Sequence, residues 1–265
     1  MAAVLELVST RPVVVVSPHL DDGVLSAFAL LAGAPEVRLV TVFTDAACDG
    51  TASEWDASLG FGSSTEAMQA RLAEDRVAAD IVGVVTGHLG LREVAYRTGD
   101  DEVDVRCRLR SALESMLDEQ PDVVLAIPGA MGRPSSRLRR LRRSVGERWP
   151  LPGLRMRPGE DPHRDHRLVH DVALDVALGR RATVIVYEDL PYAYAGGGAH
   201  LRALAQRSDL RVARERVPID LASKERAVRA YASQCRTLLP TWSDDFADGF
   251  DPVEHYWTVI PAPPA

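Results

Sequence analysis

The chain is poor in cysteine and almost devoid of lysine. Its 265 residues hold three cysteines, Cys48, Cys107 and Cys235, and a single lysine, Lys224. The cysteines lie far apart and form no Cys-x-x-Cys pair, which argues against a disulfide framework and against a thiolate zinc site. They read as ordinary thiols that pack as small hydrophobes. No apolar run approaches the roughly 18 residues of a membrane span. A formal net charge of -7 speaks against a general nucleic-acid binder. The segment Met1–Val16 lacks the basic start and small-residue cleavage site of a signal peptide, so the cytoplasm is the expected location. No Gly-x-Gly-x-x-Gly follows the first apolar run, which argues against a dinucleotide-binding enzyme. Gly196-Gly197-Gly198 is not a phosphate loop, because no Lys-Ser/Thr follows it.

What is present is a pattern of alternating strands and helices in a chain that is 46% hydrophobic, enough for a large core. Residues 13–16, 37–44, 121–127 and 183–187 read as strands. Residues 22–33, 65–82, 102–119, 166–178 and 223–235 read as helices. Residues 46–64, rich in Gly, Ser, Asp and Ala, read as a loop, and the segment 240–265 reads as an irregular C-terminal tail anchored by Trp242, Tyr256 and Trp257. This alternation predicts an α/β fold, a Rossmann-like and mainly parallel sheet with helices on both faces, in one domain over residues 1–265.

Two clusters carry candidate chemistry. Val13-Val14-Val15-Val16 stops at Ser17-Pro18 and delivers His19, Asp21 and Asp22 to the exit of the first strand. In an open α/β sheet that exit is where ligands bind. Far downstream, Asp161-Pro162-His163-Arg164-Asp165-His166 precedes another helical pattern. Imidazole with carboxylate suits a divalent metal such as zinc, and two such clusters imply one site built from both.

These residues resemble the PIG-L/LmbE-like zinc-dependent N-deacetylases. The family's Pro-His-x-Asp-Asp stands as Pro18-His19-Leu20-Asp21-Asp22, and its His-x-Asp-His as His163-Arg164-Asp165-His166. Weaker similarities are Arg71-x-x-Glu74-Asp75, Tyr187-Glu188-Asp189-Leu190-Pro191-Tyr192 and Tyr231-Ala232-Ser233-Gln234, in the family's order. The resemblance implies removal of an N-acetyl or other N-acyl group from an amino sugar, glycoside or related conjugate. It implies that His19, Asp22 and His166 hold Zn2+, a ligand set that ferrous iron also suits. Asp21 would then be the general base, His163 would stabilise the oxyanion or protonate the leaving amine, and Asp165 would orient His163 or a neighbour. Arg71 would reach a sugar hydroxyl, and Tyr192 or Tyr194 would help at the oxyanion. The implied partner is a small N-acylated substrate, without nucleic acid or membrane; a homo-oligomer is left open.

Each feature has a plainer reading. Asp21 and Asp22 could cap a helix. His166 and His170 share a helix face and could chelate a metal without any family relation. Arg71 and Arg76, with Glu74 and Asp75, could be a solvated salt-bridging face. His88, His200 and His255 read as structural. The same metal could serve an esterase or phosphoesterase, and a non-catalytic binding protein would keep the scaffold. Three departures from the family pattern stand out. Gly23 sits at the helix start, where it loosens the first turn. Residues 133–160 form an apparent insertion, in which Arg133–Arg157 holds nine arginines against Glu147 alone, a local charge of +8 that leaves -15 for the rest. This basic island is either a surface helix docked on the acidic body or a lid that selects an anionic substrate. The family tyrosine preceding His-x-Asp-His has no counterpart in Gly159-Glu160-Asp161-Pro162.

Overall fold

Four consecutive valines, Val13 to Val16, are buried on both sides, because the strand they form lies at the centre of a sheet with a core on each face. Val13 and Val15 pack into one core and Val14 and Val16 into the other, as the two-residue period of a strand requires. A continuous apolar run, rather than an alternating one, is the signature of a strand covered on both faces. The structure, a computed structural model, describes residues 3–97, 101–133, 161–195, 199–238 and 250–263. The Arg-rich stretch 134–160, Trp242 and the triglycine at 196–198 lie outside the described residues.

The strands are β1 (Val13–Ser17), β2 (Val37–Asp45), β3 (Val85–Arg92), β4 (Val124–Pro128), β7 (Val184–Tyr187), β8 (Leu210–Pro218) and β9 (Val253–Pro261), with the short pair β5 (Gly132–Arg133) and β6 (Asp161–Pro162) apart. The seven-stranded sheet has the order β3-β2-β1-β4-β7-β9-β8. From β3 to β7 all pairings are parallel, while β9 runs antiparallel to both β7 and β8. The mainly parallel sheet is therefore as expected.

Helices α1 (Ala3–Ser9), α2 (Asp22–Ser26), α3 (Phe28–Gly33), α5 (Ser64–Val82) and α9 (Leu221–Val228) lie on one side; α6 (Asp101–Glu119) and α7 (Arg164–Gly179) lie on the other. Val105, Leu109, Leu113 and Leu117 of α6 fall at four-residue spacing and form one buried stripe. Short helices α4 (Glu54–Ser58), α8 (Ala199–Leu204) and α10 (Ala232–Leu238) complete the described elements.

Strand order reverses at β1, whose neighbours are β2 and β4. Successive crossovers run outward from β1 through β2 to β3, then return to β4 on its other side. The connections therefore diverge at the exits of β1 and β4 and leave a crevice there.

Several sequence expectations are corrected. The helix expected over 22–33 is two helices, broken at Ala27, because Glu254 of β9 accepts from the N–H groups of Phe28 (3.1 Å) and Ala29 (2.8 Å). The tail expected to be irregular over 240–265 contains β9, in which Tyr256 and Trp257 are buried. The loop expected over 46–64 holds α4, closed by a capping box between Ser53 and Asp56. The helix expected over 223–235 is α9 followed by α10. The sequence pattern also missed α1, β3 and β8. Both strands are sheet edges, β3 mostly half-exposed and β8 mostly exposed, so neither shows an apolar run. Gly23 also serves packing, since a Cβ there would stand 2.5 Å from Leu39 Cδ1 and 3.3 Å from Ser17 Oγ. Its missing side chain lets the start of α2 pack against β1 and β2.

Candidate metal and active site

The side chains at the crevice come from the exits of parallel strands and the start of α7. β1 ends at Ser17, whose hydroxyl donates to the His19 carbonyl and accepts from Gly23 N (2.8 Å), folding Pro18–Asp22 into a tight corner. Asp21 is the N-cap residue of α2, yet its side chain makes no capping hydrogen bond. The capping reading therefore does not account for its carboxylate, which lines the cleft. Asp22 turns back instead. Its Oδ2 accepts from His19 N (2.9 Å) and lies 3.0 Å from His19 Nδ1.

From the opposite side, His166 enters in the first turn of α7. Its Nε2 lies 3.1 Å from the same Asp22 Oδ2, and among the described residues it is buried without a hydrogen bond of good geometry. One donor atom each from His19, Asp22 and His166 lies within 4.8 Å of the others. Tetrahedral zinc with bonds of about 2.0–2.2 Å sets its ligand atoms about 3.4 Å apart, so closing this group on an ion takes small movements. The donor set, two imidazoles and one carboxylate, fits the chemistry of a catalytic zinc site, and Nε2 is the atom such an ion would take. A second group, His19, His163 and Asp165, satisfies the same distance condition.

Charge is concentrated here. Burial disfavours protonation of His19, but hydrogen bonds and charges from Asp165 and Asp22 outweigh it and raise the imidazole to about 9. Burial opposes a charge on His166 too, yet Asp22 and Asp189 push it well above the usual range. Without another cation, the acidic cluster gathers positive charge on its histidines. Burial and the adjacent Asp22 charge raise Asp21 to about 6, against the opposing pull of Arg71 and His19. His163 goes the other way: burial, then the charges of His19 and His166, lower it to about 3.

His163 stands over the cluster, its ring centroid 5.2 Å from His19 and 5.0 Å from His166, and it stacks on Tyr192 at 6.2 Å. Its Nδ1 is buried without a partner among the described residues. Asp165 does not hydrogen-bond His163. It lies 3.3 Å from His19 Nε2, accepts from Val94 N (2.9 Å) and pairs with Arg97. Arg71 is buried rather than solvated, 3.4 Å from Glu93 and close enough to Asp21 for their charges to interact. Asp75, beside it on α5, is also buried and bonds Tyr231 and His88, so that helix face is no solvated salt-bridge row. His170 is buried, with Nδ1 donating to the Pro128 carbonyl at 2.7 Å. Its partner is backbone, and it belongs to neither candidate metal group.

The cleft has a volume of about 240 Å³. His19, Asp21, Asp22, His163, Asp165 and Arg71 lie in its polar part, Leu25, Trp55, Leu190 and Pro191 form its apolar walls, and the fully buried His166 stands behind the lining. Three contributors escaped the sequence reading, Trp55, Glu93 and Arg97, while Asp189 stood inside a quoted motif without an assigned role. Trp55 is held by Nε1 donating to Gln234 Oε1 at 3.0 Å. Glu93 and Asp189 follow the ends of β3 and β7 just as His19 follows β1. A carboxylate one or two residues beyond a parallel strand was the available signal.

The fold is similar to that of solved deacetylases of the LmbE/PIG-L type. In particular, the chain is similar to teicoplanin deacetylase Orf2, solved in a zinc-inhibited form, with a TM-score of 0.66 and 22% identity over 96% of this chain and 100% of that one. It is similar to the A40926 pseudoaglycone deacetylase Dbv21, with a TM-score of 0.65 and 24% identity over 97% and 100%. A more distant similarity is to N,N'-diacetylchitobiose deacetylase from Pyrococcus horikoshii, with a TM-score of 0.53 and 16% identity over 95% and 84%. No family model matches the chain, and no curated protein does. Among the described residues no helix is long and apolar enough to cross a membrane.

Proposed function

We propose that the chain is a metal-dependent hydrolase that removes an N-acetyl or related N-acyl group from an amino sugar carried on a glycoside or conjugate. The observation that carries this reading is the convergence of His19, Asp22 and His166 on one small volume, with the uncapped Asp21 carboxylate in the same cleft. The similar folds of deacetylases acting on teicoplanin and the A40926 pseudoaglycone support a glycosylated substrate.

His19, Asp22 and His166 would hold zinc, which acidifies water and polarises the amide carbonyl when bound. Asp21 takes the proton of the attacking water. Burial and the neighbouring Asp22 raise its basicity, which suits that task, and a bound cation would offset part of the rise. The same proton reaches the departing nitrogen, since an amine leaves only once protonated. His163, kept neutral by burial, donates a hydrogen bond to the oxygen that gains negative charge in the tetrahedral intermediate. Tyr192 backs its ring. Asp165, gripped by Arg97 and Val94, orients His19 rather than His163. Arg71 and Glu93 face the sugar hydroxyls, and Trp55 offers an apolar face to the rest of the ligand.

The test is a screen of N-acetylated amino sugars and glycopeptide conjugates with chelated and zinc-reloaded protein, following free amine and acetate together. The expected result is equal release of both, only after reloading. Phosphate or alcohol release without amine would favour the phosphoesterase or esterase reading, and a fully loaded but inert protein would favour a binding role.

A further inference from the structure

We infer that Asp189 couples the turn at the end of β4 to the orientation of His166, so that a change in the turn weakens metal binding without touching a ligand. The inference rests on the reading of His166 as a ligand.

Asp189 is fully buried, two residues beyond β7, and its two oxygens serve two different elements. Oδ1 lies 3.1 Å from His166 Nδ1, while Oδ2 accepts from Met131 N at 2.7 Å. A carboxylate on Nδ1 fixes the proton there and leaves Nε2 as the free lone pair. Nε2 is the buried nitrogen that makes no hydrogen bond of good geometry among the described residues and faces Asp22.

The turn that supplies Met131 N is itself tightly set. Ala130 has a φ of 52°, in the left-handed region that a non-glycine residue seldom occupies. A Cβ on Gly129 would stand 2.8 Å from the Tyr187 carbonyl and 3.5 Å from Asp189 Oδ2. Two histidines outside the metal groups hold the carbonyls on this turn: His170 Nδ1 donates to Pro128 (2.7 Å) and His200 Nε2 to Gly129 (2.6 Å), their rings edge-on at 5.3 Å. The turn is therefore fixed from outside, and Asp189 carries its position to His166. Displacing the turn from β7 draws Met131 N away from Oδ2 and frees the carboxylate to swing. The Nδ1 hydrogen bond is then lost.

Zinc affinity, measured by competition with a chromophoric chelator, tests this on Gly129→Ala, Asp189→Ala and the double variant, each first shown to be folded by thermal melting. Asp189→Ala should weaken zinc binding by about 10- to 100-fold, the usual loss when the partner of a ligating histidine is removed. Gly129→Ala should weaken it in the same direction, and the double variant should bind no worse than Asp189→Ala, because both changes break one link. Wild-type affinity in Gly129→Ala, or losses that multiply in the double variant, would overturn the coupling. Should Gly129→Ala fail to fold, His200→Ala perturbs the same turn more gently and is held to the same two criteria. The readout needs no turnover, so amine release by loaded wild-type protein, scored separately, tells failure of the deacylase reading from failure of this one.

Discussion

Asp21→Asn lowers turnover on an N-acetylated amino sugar by about 10²- to 10⁴-fold, the range a positioned general base contributes, while metal content stays at the wild-type level. The variant keeps the shape of the side chain and removes only its capacity to take a proton. Asp21 makes no capping hydrogen bond, so α2 loses no cap when the charge goes. Its carboxylate is buried beside that of Asp22, and removing one of two neighbouring negative charges does not weaken the fold. Stability and metal content are therefore expected to hold while kcat falls. Turnover within a few fold of wild type would show that Asp21 is not the base, and loss of metal would make it part of the metal-holding set.

Lys224→Met destabilises the protein by about 3–5 kcal/mol, the cost of leaving a buried partner uncompensated. Lys224 is the chain's single lysine and is fully buried, with Nζ 2.6 Å from Glu254 Oε1 and 4.7 Å from the Phe250 ring. Glu254 also accepts from the N–H groups of Phe28 and Ala29 and from Tyr256. One carboxylate thus ties α9 and β9 to the break between α2 and α3, a few residues from Asp22. Urea unfolding of Lys224→Met, Glu254→Gln and their double variant separates the contributions. If the unpaired charge dominates, the double variant is less destabilised than the two single losses sum to. A single-variant loss under 1 kcal/mol would show that the pair adds little to the fold.

The centre of the sheet was legible because β1, β4 and β7 are short apolar runs, and only a strand covered on both faces is built that way. The edges were not. β8 carries Arg211, Arg214 and Arg216 on a sheet margin, where solvent accepts what a core would reject. β9 was hidden by the prolines around it and by its pairing with β8, whose residues lie far earlier in the chain. The break at Ala27 was illegible for a similar reason: its cause, Glu254, is more than two hundred residues away. His19, Asp22 and His166 were legible because a strand exit and a helix start announce themselves locally. The sequence left the partner of Asp165 between His163 and a neighbour; the fold sets it on His19. Asp189 stood within a quoted motif, but only the packing of α7 against β4 and the exit of β7 shows what its two oxygens hold.

The most direct measurement of the metal site is X-ray absorption at the zinc edge on reconstituted protein, combined with metal stoichiometry. One ion per chain is expected, with a light-atom shell at about 2.0–2.1 Å containing two imidazoles and no sulfur, and with the imidazole signal reduced in His166→Ala. A protein that takes up no zinc, or whose zinc is bound by cysteine sulfur or is indifferent to His166, would contradict a centre built from His19, Asp22 and His166.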